Sequence, residues 1–301
     1  MKKEWPVLSY EKGKPTYETL QLFTQVVGKI KLSKMPWANH SWNITLHISP
    51  TGITTQNMPC KDKNFQIDFD LIVHELKITT SLGEKAAFSL KNISVASFYA
   101  KVADAFKELH IDLKISTKPS EIANPIPFEQ DETHNTYDEV QASAFHLALL
   151  RVNDVFTVFR SRFEGKSSPV QFFWGGFDLS LSFFSGQKAP RHPGSAPGMP
   201  DWVLQDAYSH EVSDCGFWTG SEALPEAAFY CYLYPEPEGY KAGIPSPAEA
   251  YYHQTMGEFI LPYAAVQQAE DPEAKLLEFL DSTYQIGASL GKWDADLYRI
   301  V

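Results

Sequence analysis

The sequence predicts an α+β protein of two similar halves, each a helix, an antiparallel sheet and a helix, packed as one compact unit. Three observations carry this. Apolar residues recur at spacings of three and four in four segments, they alternate with polar residues between those segments, and this order runs twice. A stretch rich in Pro, Glu and Asp, residues 118–135, separates the two runs. We place the N-terminal half at 1–120 and the C-terminal half at 121–301, an arrangement consistent with an internal duplication.

The first half opens with a helix over Thr16 to Lys34, where Tyr17, Leu20, Phe23, Val27 and Ile30 line one face and Lys29, Lys31 and Lys34 suit its C-terminal end. The period then changes to two. Trp42, Ile44, Leu46 and Ile48 alternate with polar residues as a half-buried strand, and Pro50 to Gly52 turns it into a second. Phe65, Ile67, Phe69 and Leu71 mark a third strand, and Leu76 and Ile78 a fourth. Ser94 caps a helix carrying Val95, Phe98, Val102, Phe106 and Leu109, and Ile111, Leu113 and Ile115 read as a closing strand.

In the second half, Thr136 to Glu139 form a capping box for a long helix with Phe145, Ala148, Val152, Val155, Phe159 and Phe163 inward. Val170, Phe172 and Trp174, then Gly175-Gly176, then Phe177, Leu179, Leu181 and Phe183 spell a hairpin with a two-residue turn. That register sets Phe173 opposite Asp178 and Gln171 opposite Ser180, so the second face of an apolar hairpin is polar. A Pro-rich loop at 187–202 is long enough to cover that face. Ala228 to Tyr234 and Gly257 to Tyr263 are further strands, and Asp271-Pro272 starts the last helix with Leu276, Leu277, Leu280 and Tyr284 inside.

Composition limits the function classes. A net charge of −11 with scattered basic residues argues against nucleic acid and against an anionic membrane surface as partners. No stretch reads as a membrane span, and Glu4, Trp5 and Pro6 stand where a secretory signal would be apolar. Cys60, Cys215 and Cys231 form no CxxC pair, which fits reduced thiols in a cytoplasm and indicates neither a disulfide scaffold nor a zinc site. Aromatic residues at 14% exceed what a core needs, so some are expected to line a cleft.

No HExxH, GxSxG or phosphate-binding glycine loop occurs, so no metal or cofactor is expected; Gly165-Lys166 lacks the upstream glycine and the preceding strand. A metal site would have to be assembled from the distant His192, His210 and His253. Tyr208-Ser209-His210-Glu211 offers a base, although adjacent His and Glu side chains point apart and need partners from elsewhere.

The run Ser168 to Leu179 (SPVQFFWGGFDL), followed by Tyr208-Ser209-His210-Glu211 and Tyr234-Pro235-Glu236-Pro237, resembles a family of bacterial proteins grouped as a domain of unknown function. The likeness covers nearly the whole chain, including Asn39-His40-Ser41-Trp42, Gly257-Glu258-Phe259 and Ser282-Thr283-Tyr284. It implies no activity, but it singles out His40, Trp42, His134, Asp178, His192, His210, Glu211, Glu236, His253 and Glu258. The family commonly has His at position 171; Gln171 here weakens any scheme needing a base at that point and keeps a hydrogen-bonding role.

The expectation is a small-molecule pocket between the halves, with a sugar-like ring among the candidate ligands. Trp42, Trp174, Tyr230 and Tyr232 would be its walls and Asp178, His210, Glu211 and His253 its polar anchors, with His40, Gln171, Phe173, His192 and His134 as further ligand-binding positions. The alternative is hydrolase-type acid/base chemistry by His210 or His253 with Glu211, Glu258 or Asp178; a third reading is a protein-interaction module.

Overall fold

A computed structural model describes residues 4–299. Helix α1, Tyr10–Lys34, starts earlier than its apolar stripe because Ser9 accepts the Lys12 N–H, and the helix runs on through Pro15. One inward face was expected, yet almost every residue from Leu22 to Lys31 is buried. The helix is central, and its polar side chains find partners in the segments that cover it. Gln25 donates to the Ser120 carbonyl at 2.9 Å and accepts the Ser120 N–H at 2.8 Å, Lys29 donates to Ser120 Oγ, and Gln21 donates to the Gly175 carbonyl at 2.6 Å.

The first sheet contains β1 (His47–Ser49), β2 (Gly52–Thr54), β3 (Met58–Cys60), β4 (Lys63–Asp70), β5 (Glu75–Thr80) and β6 (Lys85–Ser89), all antiparallel in the order β1-β2-β4-β5-β6 with β3 beside β4. Helix α2, Val95–Glu108, follows its Ser94 cap, and Phe98 stacks on Phe23 of α1 at 4.1 Å. Two expectations fail here. Residues 42–44 form turns after a 3-10 turn at Asn39–Ser41, so that strand begins only at His47. Ile111 to Ile115 keeps its alternating burial, but with no neighbouring strand among the described residues to pair with it forms no ladder.

Helix α3, Glu139–Ser161, is capped by Asp138 rather than by a Thr136 box, because the Asp138 carboxylate accepts the Val140 and Gln141 N–H groups. By length and composition α3 could cross a membrane, contrary to the sequence reading, but half of its most apolar stretch is buried and it packs on α1, β1 and the second sheet. That sheet holds β7 (Lys166–Ser167), β8 (Gln171–Phe173), β9 (Asp178–Lys188), β10 (His210–Trp218), β11 (Ala228–Tyr234), β12 (Tyr251–His253) and β13 (Glu258–Pro262), with α4 (Asp201–Ala207) before β10. Its order is β12-β13-β11-β10-β9-β7, with β8 beside β9. Short α5 (Tyr263–Gln267) and α6 (Pro272–Leu290), capped by Asp271 as expected, complete the chain's main elements.

One branching recurs: β4 carries both β2 and β3, and β9 carries both β7 and β8. The sheets touch where Leu46 and Phe172 exchange both backbone hydrogen bonds, at 2.9 and 2.8 Å. A continuous buried cluster runs from Trp5 and α1 through both sheets to Trp293, so the two halves share one core.

Candidate functional site

Along β9 the side chains Leu179, Leu181 and Phe183 enter the core, which turns Asp178, Ser180 and Ser182 to the opposite face. The cross-strand register brings Asp214 of β10 beside Ser182 on one flank and Tyr232 of β11 on the other. One strand further, Tyr230 lies level with Gly216, and Glu258 starts β13 on the outer side of β11. Four strands therefore place three carboxyls, two hydroxyls and two phenols on one side of a sheet.

The hairpin between β8 and β9 has the expected register, Phe173 to Asp178 and Gln171 to Ser180, closed by Trp174 to Phe177. Its glycines lie close against two carboxyl groups. The positive φ of the turn falls on Phe177, at 58°, whereas a Cβ at Gly175 would lie 1.8 Å from Glu121 Oε1 and one at Gly176 2.5 Å from Asp178 Oδ1. Gly216 has the same role on the sheet: a Cβ there would come within 2.2 Å of the Tyr230 ring, which crosses β10 and donates its hydroxyl to Asp178 Oδ2 at 2.6 Å.

The loop before α4 and α4 itself roof this face. The His40 N–H donates to Asp206 Oδ2 at 2.7 Å, His40 Nδ1 meets the Ala207 carbonyl at 3.0 Å, and Trp37 packs edge-on against Trp202. Beneath lies a chamber of about 230 Å³, lined from the first half by Ser41, Trp42 and Ile44 and from the second by Phe173, Ser180, Ser182, Phe184 and Asp214. Outside it a more open groove of about 600 Å³ runs past Trp218, Tyr234, Glu236 and Glu258. Gly176, Asp178, Tyr208, Tyr230 and Tyr232 line both, so these residues form the wall between chamber and groove.

Burial dominates the electrostatics. It pushes Asp214 up to about 8, with Ser182 and Ser180 donating to its carboxyl at 2.5 and 3.1 Å in opposition and the Asp178 charge adding to the rise. Burial also raises Asp178 to about 6, against the Tyr230 hydrogen bond, and Glu258 to about 7, with Asp178 as a second cause. Glu121 moves the same way, to about 7, but it stands on the exposed rim where water screens it, so it carries the least weight. Tyr208 and Tyr232 join hydroxyls at 2.8 Å, and His192 stacks on the Tyr208 ring at 4.7 Å.

Of the positions named from sequence, His40, Trp42 and Phe173 line the chamber, Glu258, His192 and Glu236 the groove, and Asp178, Tyr230 and Tyr232 both. Gln171 is 0% exposed beside Ser180, and among the described residues neither its amide oxygen nor its amide nitrogen has a hydrogen-bond partner. The remaining positions lie outside the cleft. His210 meets Ser209 Oγ, Glu211 accepts from Ser185 at 2.7 Å, His253 accepts the Met256 N–H in its own hairpin, and His134 bonds Asp131 at 2.7 Å. Trp174 is buried against α1, where Gly28 leaves room for its ring, and donates to the Ile44 carbonyl. The sequence reading placed Ser180 on the polar face of the hairpin but missed Asp214, Tyr208 and Ser182 as site residues; the one signal for Asp214 was an acid on the same side of its strand as Val212 and Trp218. Among the described residues no group of three or more His, Cys, Asp or Glu is placed to hold a metal ion.

Gly216→Ala is expected to displace the Tyr230 ring, cost about 1–3 kcal/mol of stability and break the bond to Asp178. Tyr230→Phe should remove the bond and leave the ring. If chemical denaturation finds Gly216→Ala no less stable than Tyr230→Phe, the close approach is not a constraint.

A model of a family of unknown function (DUF5996) matches residues 5–300. No curated protein and no solved structure matches the chain.

Proposed function

The chain belongs to the family of unknown function DUF5996, and from that premise we propose that the protein binds a small organic molecule in the cleft of the second sheet. The observation that carries this reading is the position of Asp178, held by Tyr230 in the wall common to the 600 Å³ groove and the 230 Å³ chamber. Such a concave site, walled by aromatic rings with a few converging polar groups, has the make-up of a ligand pocket, and a concave cleft speaks against the flat patch of an interaction module.

Acid/base catalysis is the second reading, and one observation favours it. Asp178 at about 6 and Glu258 at about 7 lie near neutrality in the same groove, so one can be ionised while the other holds its proton. The hydrolase alternative then rests on these two carboxyls, since His210, Glu211 and His253 lie outside the cleft.

A thermal-shift screen of a metabolite library against wild type and Asp178→Asn tests the proposal. A ligand at about a hundred times its Kd stabilises by about 2.7 kcal/mol, which for a chain of this size is a rise in Tm of about 4 °C. We expect such a shift in wild type, its loss in Asp178→Asn, and its survival in His210→Ala. Turnover of the stabilising compound would decide for the catalytic reading. A library that shifts nothing, with a protein partner recovered instead, would remove the pocket as the functional site.

A further inference from the structure

We infer that the ligand of this cleft is an organic cation, an amine or guanidinium held between Asp178 and Glu258 against the tyrosine wall. This rests on the ligand-binding reading above and narrows it to a chemical class. Among the described residues five carboxyl side chains line the groove and chamber, Asp178, Asp214, Glu121, Glu236 and Glu258, and neither lysine nor arginine lines either. None of the five makes a salt bridge among the described residues. Asp178 takes a phenol, Asp214 two serine hydroxyls and Glu236 the Tyr252 hydroxyl; the Glu258 carboxyl has no hydrogen-bond or ion-pair partner among the described residues.

Three acids elsewhere in the chain are treated differently. Asp70, Glu84 and Asp281 are each paired with a lysine or arginine at 2.5–2.6 Å. In the cleft the countercharge is left to come from outside.

The walls suit that countercharge. Tyr230 and Tyr232 stack at 6.2 Å, Trp218 stands 5.8 Å from Tyr230, and Tyr234 lies 5.0 Å from Tyr208, which gives a run of electron-rich faces along the carboxyls. Of the two histidines of the lining, His192 does not supply the positive charge in its place, because its Nδ1 accepts the Gly194 N–H, which requires an unprotonated nitrogen; His40 turns its Nδ1 away to the Ala207 carbonyl.

A second observation, independent of the acids, points to a bound molecule. Ser41 lines the chamber at 5% exposure, its backbone is held at φ 59°, and its Oγ has no hydrogen-bond partner among the described residues. A buried hydroxyl left unmatched costs stability, and a ligand reaching from the groove into the chamber would satisfy it. The ligand therefore carries a cationic end for the groove and a neutral hydrogen-bonding end for Ser41. An anion is disfavoured by like charge, and a metal ion by the lack of a three-ligand group among the described residues.

Matched probes test this by titration calorimetry at pH 7.5: glucosamine against glucose, and putrescine and agmatine against 1,4-butanediol. The expected result is at least tenfold tighter binding of a cation than of its neutral counterpart, reduced tenfold or more by Glu258→Gln and by Asp178→Asn in folded protein. Neutral probes that bind as well as the amines, or a neutral library compound that binds when no amine does, would overturn the cation while leaving the pocket standing. Amine binding that both variants preserve places it elsewhere and also overturns the inference. If neither probes nor library bind, the ligand-binding reading fails with it.

Discussion

Wild-type protein is expected to lose stability as the pH rises from 6.5 to 8, and Asp214→Asn to lose much less. Asp214 is 7% exposed and its carboxyl moves from 3.8 to about 8 in the folded chain, chiefly through burial. A folded-state value above the unfolded one means the native protein keeps a proton that the unfolded chain has released. The associated stability is fully present below about pH 4 and is lost as the pH climbs through about 8. Glu258 at about 7 and Asp178 at about 6 act in the same sense over shorter ranges. Two groups act oppositely outside the window: burial lowers His47 to about 4, so its contribution rises only up to its ordinary 6.5, and Lys31 at about 8 contributes above that value. Between 6.5 and 8 the carboxyls act unopposed by these two. One proton over that interval corresponds to about 2 kcal/mol, a fall of about 3 °C in Tm. The amide of the Asp214→Asn variant would still accept from Ser180 and Ser182 and has no proton to lose. Calorimetric scans of both proteins at the two pH values decide; equal slopes would mean that Asp214 is ionised in the native state.

The candidate site was legible where local chemistry sets geometry. Gly175-Gly176 between apolar runs fixed the register that puts Asp178 and Ser180 on a common face, and Asp271-Pro272 marked the start of α6. Asp214 was hidden because β10 mixes polar and apolar residues on both faces: Val212, Asp214 and Trp218 on one, Ser213, Cys215 and Phe217 on the other. With no clean alternation, nothing local says which side is lined by a cavity. The chamber was hidden for another reason. Its lining comes from residues near 40, 121, 178, 204 and 214, joined only by tertiary contacts such as that of His40 with Asp206. His210-Glu211 attracted attention as a chemical pair, yet successive strand residues diverge, and Tyr208, just before them, is the one that reaches the cleft. The failed strand at Ile111 to Ile115 makes the same point, because its alternation was sound and only a partner was missing.

The contact between Trp174 and Gly28 carries the other large effect, and it links the core to the site. Trp174, 5% exposed, lies where a Cβ at Gly28 would be 2.3 Å from its ring; it donates to the Ile44 carbonyl at 3.0 Å, and Lys29 Nζ stands 5.8 Å from the ring centre. Trp174→Ala is therefore expected to cost about 3–5 kcal/mol, as the loss of a buried tryptophan does. Gly28→Ala gains about 1 kcal/mol of helix propensity but forces a ring out of a filled site at about 1–3 kcal/mol, so a net loss is expected. Combined, the new methyl enters the space the indole has left: the clash disappears, the helix gain remains, and the double variant should be more stable than the sum of the single losses predicts by about 1 kcal/mol or more. The same contact anchors the turn whose next two residues make room for Glu121 and Asp178. Gly28→Ala should therefore weaken ligand binding although residue 28 lines neither groove nor chamber. Urea denaturation of the four proteins, with binding measured on each, tests both parts. Additive losses with unchanged affinity would show that the turn is held by its own strands, and that α1 supports the fold without setting the geometry of the cleft.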